Sequence, residues 1–215
     1  MTPQHHPEPD ELIAYASGTS AEWVSLVVAC HLTYCAECRK DVALLDDLGG
    51  ALLDEAPREG APEPLDLDAP PRFAARAPLP APLPEADALG IPRCVQPYLK
   101  DGARFRYLAP GLEQIPLDLD IGEFPSRIIR FAGGFTVPKH AHEGLEFLVV
   151  LDGVLEDSTT GEVFRTGDVS RRESGTAHRQ HIPWRAGPCT CLVISEKPVV
   201  ASTLWGKLLK RVTGV

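Results

Sequence analysis

The run His140-Ala141-His142-Glu143-Gly144-Leu145-Glu146 constrains the fold of this chain more than any other part of its sequence. In an extended strand the side chains alternate between two faces, so His140, His142 and Glu146 project to the same side. His178 adds a third imidazole from farther along the chain. Three imidazoles and one carboxylate form a ligand set for a single divalent metal. The sequence therefore predicts a metal-binding β-barrel with these four residues in its interior.

A second cluster of metal-ligating residue types lies near the N-terminus, at His31-x-x-x-Cys35-x-x-Cys38, with His5 and His6 upstream. Thiolate and imidazole ligands favour tetrahedral zinc. In one continuous helix these side chains would lie within about 60° of one another, because offsets of four and seven residues close one and two turns. A helix break just before Cys35 would instead place the Cys-x-x-Cys where free N–H groups lower thiol pKa values. Either geometry favours metal binding, with His5 or His6 as the fourth ligand.

The six cysteines are expected to be reduced, because the chain has no export signal and two of them have zinc-type spacing. A redox-active Cys-x-x-Cys is the competing interpretation, but its surroundings have no β-α-β pattern. Cys30 is predicted to be a core residue and Cys94 to lie in a linker. Cys189 and Cys191 share a strand face without nearby ligands, so we predict structural thiols, with redox chemistry possible.

Residues 1–55 are predicted to form a small all-α unit of three helices from the spacing of their apolar side chains. Asp10 is the predicted N-cap of the first helix, over 10–17, and Thr19 with Glu22 is the predicted capping box of the second. The third helix is predicted from Cys35 to about Leu53. So short a unit buries little apolar surface, and a structural zinc would supply the stability that its core lacks.

A Pro-rich linker is predicted over 56–97, since 11 of the 21 prolines lie between residues 57 and 97. One short helix at 83–89 is the only regular element expected there. Residues 98–200 are predicted to be an all-β barrel with a core of its own, because short β-branched and aromatic runs alternate with Gly and Pro. The runs are 127–131, 145–151, 163–164 and 191–194. Residues 201–215 predict an amphipathic helix that docks on the barrel or on a second copy.

The negative charge of the chain is concentrated in the helical unit. Of a formal net charge of −9, residues 1–55 carry −8, with Arg39 and Lys40 against ten acidic residues. Phosphate contacts need Lys and Arg, so this argues against direct nucleic-acid binding and favours a basic protein partner. The alternative explanation of this negative charge is an acidic surface that serves only the solubility of the protein. No apolar run approaches the length that crosses a bilayer, and we expect a soluble, cytoplasmic protein.

The barrel cluster fits a family pattern. Gly134-x5-His140-x-His142-x3-Glu146-x6-Gly153 matches the first signature of the cupin superfamily at every position. The second, Gly167-x5-Glu173-x-Gly175-x2-His178, has Glu173 in place of the usual proline and Ile182 in place of the usual asparagine. The resemblance implies a double-stranded β-helix of the jelly-roll type that binds Zn, Fe, Mn or Ni. The departures concern the turn before His178 rather than the ligands, and His181 is expected to face elsewhere.

The whole chain resembles the zinc-binding anti-sigma factors of the ChrR type. An acidic unit with His-x24-His-x3-Cys-x2-Cys, a Pro-rich linker and a cupin occur in the same order, and residues 5–6, 15–16, 25–29 and 31–38 are close to the N-terminal pattern of that family. The resemblance implies that zinc is held by His6, His31, Cys35 and Cys38. It implies that the helical domain binds an extracytoplasmic-function sigma factor and hides the surfaces that sigma needs for core RNA polymerase. The cupin domain would bind zinc and be needed for sigma release in response to singlet oxygen or organic hydroperoxides.

The leading hypothesis is therefore a two-domain α+β regulator without catalytic residues, able to form homo-oligomers through its cupin domain. The alternative is a metal-dependent cupin enzyme, such as a dioxygenase or isomerase, with an appended zinc domain. A third hypothesis is a cupin sensor of small molecules with an unrelated protein target. Loss of the Cys-x-x-Cys would abolish sigma binding under the first hypothesis, whereas enzyme turnover would persist under the second.

Overall fold

The computed structural model describes residues 2–55, 89–119 and 126–197, together with the backbone of 199–201. Three helices come first: α1 (Pro9–Ala16), α2 (Glu22–Tyr34) and α3 (Ala36–Glu55). The strands follow: β1 (Arg106–Ala109), β2 (Leu112–Pro116), β3 (Arg127–Phe131), β4 (His140–His142), β5 (Glu146–Asp152), β6 (Val154–Asp157), β7 (Val163–Arg165), β8 (Val169–Arg172), β9 (Gln180–His181), β10 (Cys189–Ser195) and β11 (Val199–Ala201). The predicted helix at 83–89 lies outside the described residues except for Leu89, which is in a turn. The predicted C-terminal helix also lies outside them, apart from Ala201, which ends β11.

The predicted cap of the first helix is wrong. Pro9 is the first residue of α1 and Glu8 is its N-cap. Proline suits this position because the first turn has no partner for its missing N–H. The Glu8 N–H donates to Glu11 Oε2 at 2.8 Å, which satisfies one of the donors at the helix start. Asp10 therefore lies inside the first turn, where its charge still complements the helix dipole.

The predicted capping box at the start of the second helix is also wrong. The N-cap of α2 is Ala21, which has no side-chain oxygen. The Thr19 hydroxyl instead lies 2.9 Å from the Ser17 hydroxyl, in the turn that follows α1. Glu22 accepts a hydrogen bond of 3.0 Å from the Tyr98 hydroxyl. This tertiary contact with the segment before the barrel takes the place of the predicted capping interaction between Thr19 and Glu22.

The strands pair antiparallel throughout the described residues. A six-stranded sheet has the order β1-β2-β3-β10-β5-β8, a three-stranded sheet has the order β7-β6-β9, and β11 pairs with β4. Helices first and an all-β unit second confirm the predicted α+β fold. The boundaries 1–55, 56–97 and 98–200 stay predictions. Within the described residues, none of the helices is long and apolar enough to cross a bilayer.

The central strand β5 is covered on both faces. Phe147, Val149 and Leu151 belong to a core shared with α2, whereas Leu148 and Val150 face the barrel interior. Because both faces of β5 are buried, its sequence is a continuous apolar run and does not alternate between apolar and polar residues. The helices therefore cover one face of the sheet.

The helices pack on the barrel as well as on one another. Their own cluster is small, with Leu12, Val28, Cys35 and Cys38 as its buried members. Another part of their buried surface lies on the sheet. It contains the α2 residues Leu26, Val27 and Cys30 together with Ile91, Val95 and the outer face of β2, β3, β5 and β10. A short helical unit with so thin a core gains stability from the barrel beneath it.

We predict that Phe147→Ala lowers the free energy of unfolding of the full chain by about 3–5 kcal/mol, because a buried ring and its packing are lost. Phe147 is 1% exposed, and its ring centroid lies 5.7 Å from that of Trp23 on α2. Urea unfolding followed by circular dichroism measures the change. Tyr107→Ala is the control, since that ring is 68% exposed and its loss should cost less than about 0.5 kcal/mol. Equal effects of the two substitutions would contradict a shared core.

Candidate metal centres

The first candidate centre lies where α2 ends and α3 begins. Cys35 has an extended backbone (φ −99°, ψ 107°) and separates the two helices, so the chain breaks rather than continuing as one helix. His31 lies in the last turn of α2, and Cys38 lies in the first turn of α3. The segment that precedes α1 brings His6 to the same place. The atoms His6 Nδ1, His31 Nε2, Cys35 Sγ and Cys38 Sγ come together in one group.

The separations within this group fit a tetrahedral ion. His6 Nδ1 lies 3.3 Å from His31 Nε2, 3.2 Å from Cys38 Sγ and 3.5 Å from Cys35 Sγ. The distance from His31 Nε2 to Cys38 Sγ is 3.3 Å. Zinc bonds of about 2.0–2.3 Å at tetrahedral angles would place such atoms roughly 3.3–3.6 Å apart. The donor set and its spacing therefore fit Zn²⁺, with a neutral total charge if both thiols ionise.

The expected lowering of thiol pKa values by the start of α3 is wrong for Cys38. Burial, followed by the hydrogen bond and the charge of Cys35, raises the pKa of Cys38 to about 12. Two sulfur atoms side by side cannot both be ionised easily unless a cation compensates them. Helix geometry alone does not activate the Cys38 thiol. The arrangement favours a metal-binding role over a redox-active Cys-x-x-Cys.

The two N-terminal histidines, between which the sequence left the choice open, have different surroundings. His6 lies in the group described above, whereas His5 Nδ1 lies 3.4 Å from Asp168 Oδ2. The His5 ring also packs against Phe164 of β7, with ring centroids 4.4 Å apart. His5 thus contacts the barrel, and His6 faces the helices.

The second candidate centre lies in the barrel interior. His140 and His142 are on β4 and Glu146 opens β5, so the expectation of one continuous strand is wrong: residues 143–145 separate the two. All three side chains nevertheless converge with His178, and each of the four is buried. His178 Nε2 lies 2.9 Å from His140 Nε2 and 3.0 Å from His142 Nε2. Glu146 Oε1 lies 3.2 Å from His142 Nε2.

The two separations between imidazole nitrogens, 2.9 and 3.0 Å, are shorter than those of the first centre, whereas Glu146 Oε1 lies 3.8 Å from His178 Nε2. Bonds of about 2.1 Å that meet at right angles would place ligand atoms roughly 3.0 Å apart. The barrel group therefore fits a divalent ion whose protein ligands occupy adjacent corners, which leaves further positions for water or another ligand. Zn, Fe, Mn and Ni all accept such a set.

The protonation states of the barrel group suit metal binding. Burial, opposed by the charge of Glu146, lowers the pKa of His178 to about 4 and also lowers the pKa of His140. The His140 Nδ1–H donates to the Pro138 carbonyl at 2.8 Å, which leaves its Nε2 lone pair for a ligand. Burial opposes ionisation of Glu146, but the hydrogen bond and charge of His142 outweigh it, so its pKa lies below the usual value. Neutral imidazoles and an ionised carboxylate are the forms that bind cations.

The departures from the second cupin signature leave the turn before His178 intact. Gly175 has φ +80°, which favours glycine, and its N–H donates to the His142 carbonyl at 2.7 Å. The Thr176 N–H donates to the Glu173 carbonyl at 3.1 Å, so the turn closes without the usual proline. Ile182 fills the barrel core. His181 Nδ1 lies 2.9 Å from Thr136 Oγ1 and faces away from the group, as predicted.

The cysteines on β10 face the barrel interior. Cys189 Sγ and Cys191 Sγ lie 3.6 Å apart, and both side chains are fully buried. Burial raises the pKa of Cys191 well above its usual value. The shared strand face predicted for this pair is confirmed. The pair lies on the same interior face as Leu148 and Val150 of β5.

A single segment of the barrel, residues 165–172, contacts both candidate centres. Gly167 accepts a hydrogen bond of 2.6 Å from His31 Nδ1, which directs the other ring nitrogen to the first centre. A side chain at Gly167 would collide with α2, since a Cβ there would lie 2.6 Å from Tyr34 Cβ. At the other end, Arg172 Nη2 bonds Asp157 Oδ2 at 3.1 Å. That carboxylate oxygen lies 3.6 Å from His178 Nδ1 of the second centre.

Asp168 fastens the N-terminal segment to the barrel. Its buried carboxylate accepts backbone N–H groups from Gln4 at 2.6 Å, from His5 at 3.0 Å and from Arg165 at 2.7 Å. The Val169 N–H donates to the His5 carbonyl at 3.0 Å. His6 is thus held in place by its chain neighbours. The sequence analysis missed Asp168, although an acid beside Gly167 of the second signature, within a β-rich region, was a signal that could have singled it out.

Comparison with known proteins extends over the whole chain. The chain is 36% identical over 219 residues to the anti-sigma-E factor ChrR of Cereibacter sphaeroides, with 98% of each chain covered. The crystal structure of Rhodobacter sphaeroides SigE in complex with the anti-sigma ChrR matches with a TM-score of 0.66 and 34% identity, over 90% of this chain and 100% of that chain. The family described as the ChrR cupin-like domain matches residues 100–197. The second candidate centre lies within that family match, whereas the first lies N-terminal to it.

We predict that Asp168→Asn accelerates metal loss from the first centre by roughly tenfold, since an amide N–H would face a backbone donor at a cost of about 1–3 kcal/mol. The rate of zinc release is measured by transfer of the metal to a chromophoric chelator. The kinetic phase that is absent from the Cys35→Ser/Cys38→Ser variant belongs to the first centre. The control is Asp152→Asn, because Asp152 is exposed at the end of β5. An unchanged rate in Asp168→Asn would show that the barrel does not hold His6 in position.

Proposed function

The chain belongs to the ChrR family of anti-sigma factors, and we propose that it binds and inhibits an extracytoplasmic-function sigma factor and releases it under oxidative stress. The helical unit would cover sigma surfaces needed for core RNA polymerase. The role is regulatory, and we propose that the chain has no catalytic activity. It would act in the cytoplasm as a negative regulator of transcription, without direct contact with nucleic acid or membrane. Homo-oligomers through the cupin domain are compatible with this role.

The observation that carries the proposal is an exposed apolar stripe on α3. Leu44, Leu48 and Leu52 recur every four residues and are 69%, 55% and 61% exposed. Side chains at this spacing lie on one face of a helix. Contiguous exposed apolar side chains with polar residues around them mark protein-binding surfaces. The α3 surface would therefore be a docking site.

The charge around this stripe indicates what occupies it. Residues 1–55 carry a net charge of −8, and α3 itself contains acidic residues at 37, 41, 46, 47, 54 and 55. A basic protein surface with an apolar centre complements such a helix. The structural relative was solved in complex with SigE. We therefore assign the stripe to a sigma factor.

Zinc at the first centre would hold this surface in shape. The small helical core offers little apolar burial, and the group formed by His6, His31, Cys35 and Cys38 joins the segment before α1 to α2 and α3. Binding of a structural metal contributes directly to folding free energy in units of this size. Loss of that ion would loosen the angle between α2 and α3 and thereby the sigma-binding face.

The barrel would report the stress signal to the helices through residues 165–172. This segment hydrogen-bonds His31 at one end and lies beside Asp157 and His178 at the other. A change at the second centre, held by His140, His142, Glu146 and His178, would shift β8 and with it the anchor of the N-terminal segment. Zn²⁺ is the ion we propose at the second centre, with Fe, Mn or Ni as alternatives.

We predict that Cys35→Ser/Cys38→Ser abolishes sigma binding, because the first centre loses both thiolates and the helical unit loses its metal. The measurement is co-purification with extracytoplasmic-function sigma factors of the same organism. The matched control, His140→Ala/His142→Ala, empties the barrel centre and should leave binding intact. A metal-dependent cupin enzyme would show the reverse pattern, with turnover that survives the cysteine changes and is lost in the control.

We predict that Leu48→Asp weakens sigma binding by about 2 kcal/mol or more, roughly thirtyfold, as for a residue at the centre of an interface. The fold should persist because this side chain is already 55% exposed. Titration calorimetry with the purified sigma factor gives the affinity, and circular dichroism checks the helices. Tyr107→Asp is the control, since it introduces the same charge in place of a barrel side chain that is 68% exposed. Equal affinities for both variants would exclude the α3 stripe as the docking site.

A further inference from the structure

The inner face of the barrel carries a buried arginine at one end of strand β3. Side chains alternate between the two faces of a strand. Ile129 and Phe131 pack in the apolar cluster of the barrel interior, whereas Ile128 packs in the core shared with α2. Arg127, the first residue of β3, therefore projects to the interior side, and it is only 6% exposed. A guanidinium group thus lies inside the barrel.

The register of the sheet places Arg127 at the same end of the barrel as the second centre. Val193 of β10 pairs with Arg127 on one side and with Leu148 of β5 on the other. Glu146 precedes Leu148 by two residues and lies on the same face of β5. Two strand spacings of about 4.8 Å and one two-residue step of about 6.8 Å thus separate the backbones of Arg127 and Glu146. Burial lowers the pKa of Arg127, and the charge of Glu146 opposes that shift.

Arg127 has few partners for its charge. Leu112 of β2 packs in the interior cluster, so Gln114, two residues later, projects there too. The Arg127 Nη1 donates to Gln114 Oε1 at 3.5 Å, which is long for a hydrogen bond. In the part of the chain that the structure describes, the guanidinium forms no ion pair. Buried charges are ordinarily paired, because the desolvation of an unpaired charge is costly.

A divalent ion at the second centre would increase this excess of positive charge. Histidines bind cations as neutral imidazoles, so Glu146 is the only residue of that group whose charge offsets the ion. One positive charge would then remain at the ion, and Arg127 adds another. Asp157 does not compensate for them, since it is paired with Arg172 at 3.1 Å. The interior of the loaded barrel therefore favours a bound anion.

We propose that Arg127 and Gln114 form an anion site inside the barrel, beside the second centre, and that this site binds a small monocarboxylate. A guanidinium presents parallel N–H donors in one plane, which match the two oxygens of a carboxylate better than a spherical halide ion. The Gln114 carbonyl oxygen orients the guanidinium from β2. The alkyl part of a short acid would contact the apolar side chains of Val193 and Leu148. Binding at this site needs no sigma factor, so its test is independent of the function proposed above.

The test uses the full chain loaded with zinc and fluoroacetate as the probe. The line width of the fluorine NMR signal, followed in a titration, gives the affinity. We expect saturable binding to the wild-type chain and an affinity roughly tenfold or more lower in Arg127→Met, because a charge-assisted pair is lost. Arg106→Met is the matched control, since Arg106 on β1 is exposed, and it should bind like the wild type. Absence of saturable binding, or equal affinities of both variants, would overturn the proposal.

Thermal unfolding separates this role from a structural one. In buffer free of carboxylate, Arg127→Met should unfold at the same temperature as the wild type or higher, since an apolar chain replaces an unbalanced buried charge. Excess fluoroacetate should raise the unfolding temperature of the wild type but not of this variant. If Arg127→Met is destabilised or fails to fold, the arginine is a structural residue and the proposal is wrong. Displacement of fluoroacetate by an equal concentration of chloride would likewise exclude a carboxylate site.

Discussion

The packing of α2 on the outer face of the six-stranded sheet is the interaction on which the other features of this protein depend. Phe147, Val149 and Leu151 of β5 project to the helix, while Leu148 and Val150 of the same strand line the barrel interior. Because interiors are close-packed, a displacement of β5 is felt on both sides. The helices and the barrel are therefore mechanically linked by one strand whose first residue, Glu146, belongs to the second candidate centre.

The first candidate centre forms a second link between the helices and the barrel. One nitrogen of His31 faces Cys38, and the other donates to a carbonyl of the barrel at Gly167. Asp168 holds the backbone of Gln4 and His5, next to His6. Groups that orient metal ligands tune the affinity of the site. The barrel thus supplies the hydrogen bonds that position two of the four side chains, which gives a physical route from barrel chemistry to the helical surface.

Much of this architecture was accessible from the sequence, for identifiable reasons. The strand predicted at 127–131 coincides with β3 (Arg127–Phe131), because its β-branched and aromatic residues suit a pleated sheet. Chemical type and spacing predicted the residues of each cluster, except that they left His5 and His6 open and only the family resemblance favoured His6. The structure brings both sets together, and their role as ligands stays a prediction. Helix starts were less accessible. Asp10 and Thr19 had the right side chains for caps, but Pro9 and the contact from Tyr98 to Glu22 decided otherwise.

The sequence by itself determined the order of the two units, the chemical nature of both clusters and the acidic character of the helices, since these depend on residue type and local period. Only the tertiary structure decided that the helices share a core with the barrel and that Asp168 and Gly167 support the first centre. The reason is physical. Such contacts join residues that lie 60 or more positions apart, and their partners are selected by the packing of faces and by the pairing of buried polar groups, neither of which has a signature in local sequence.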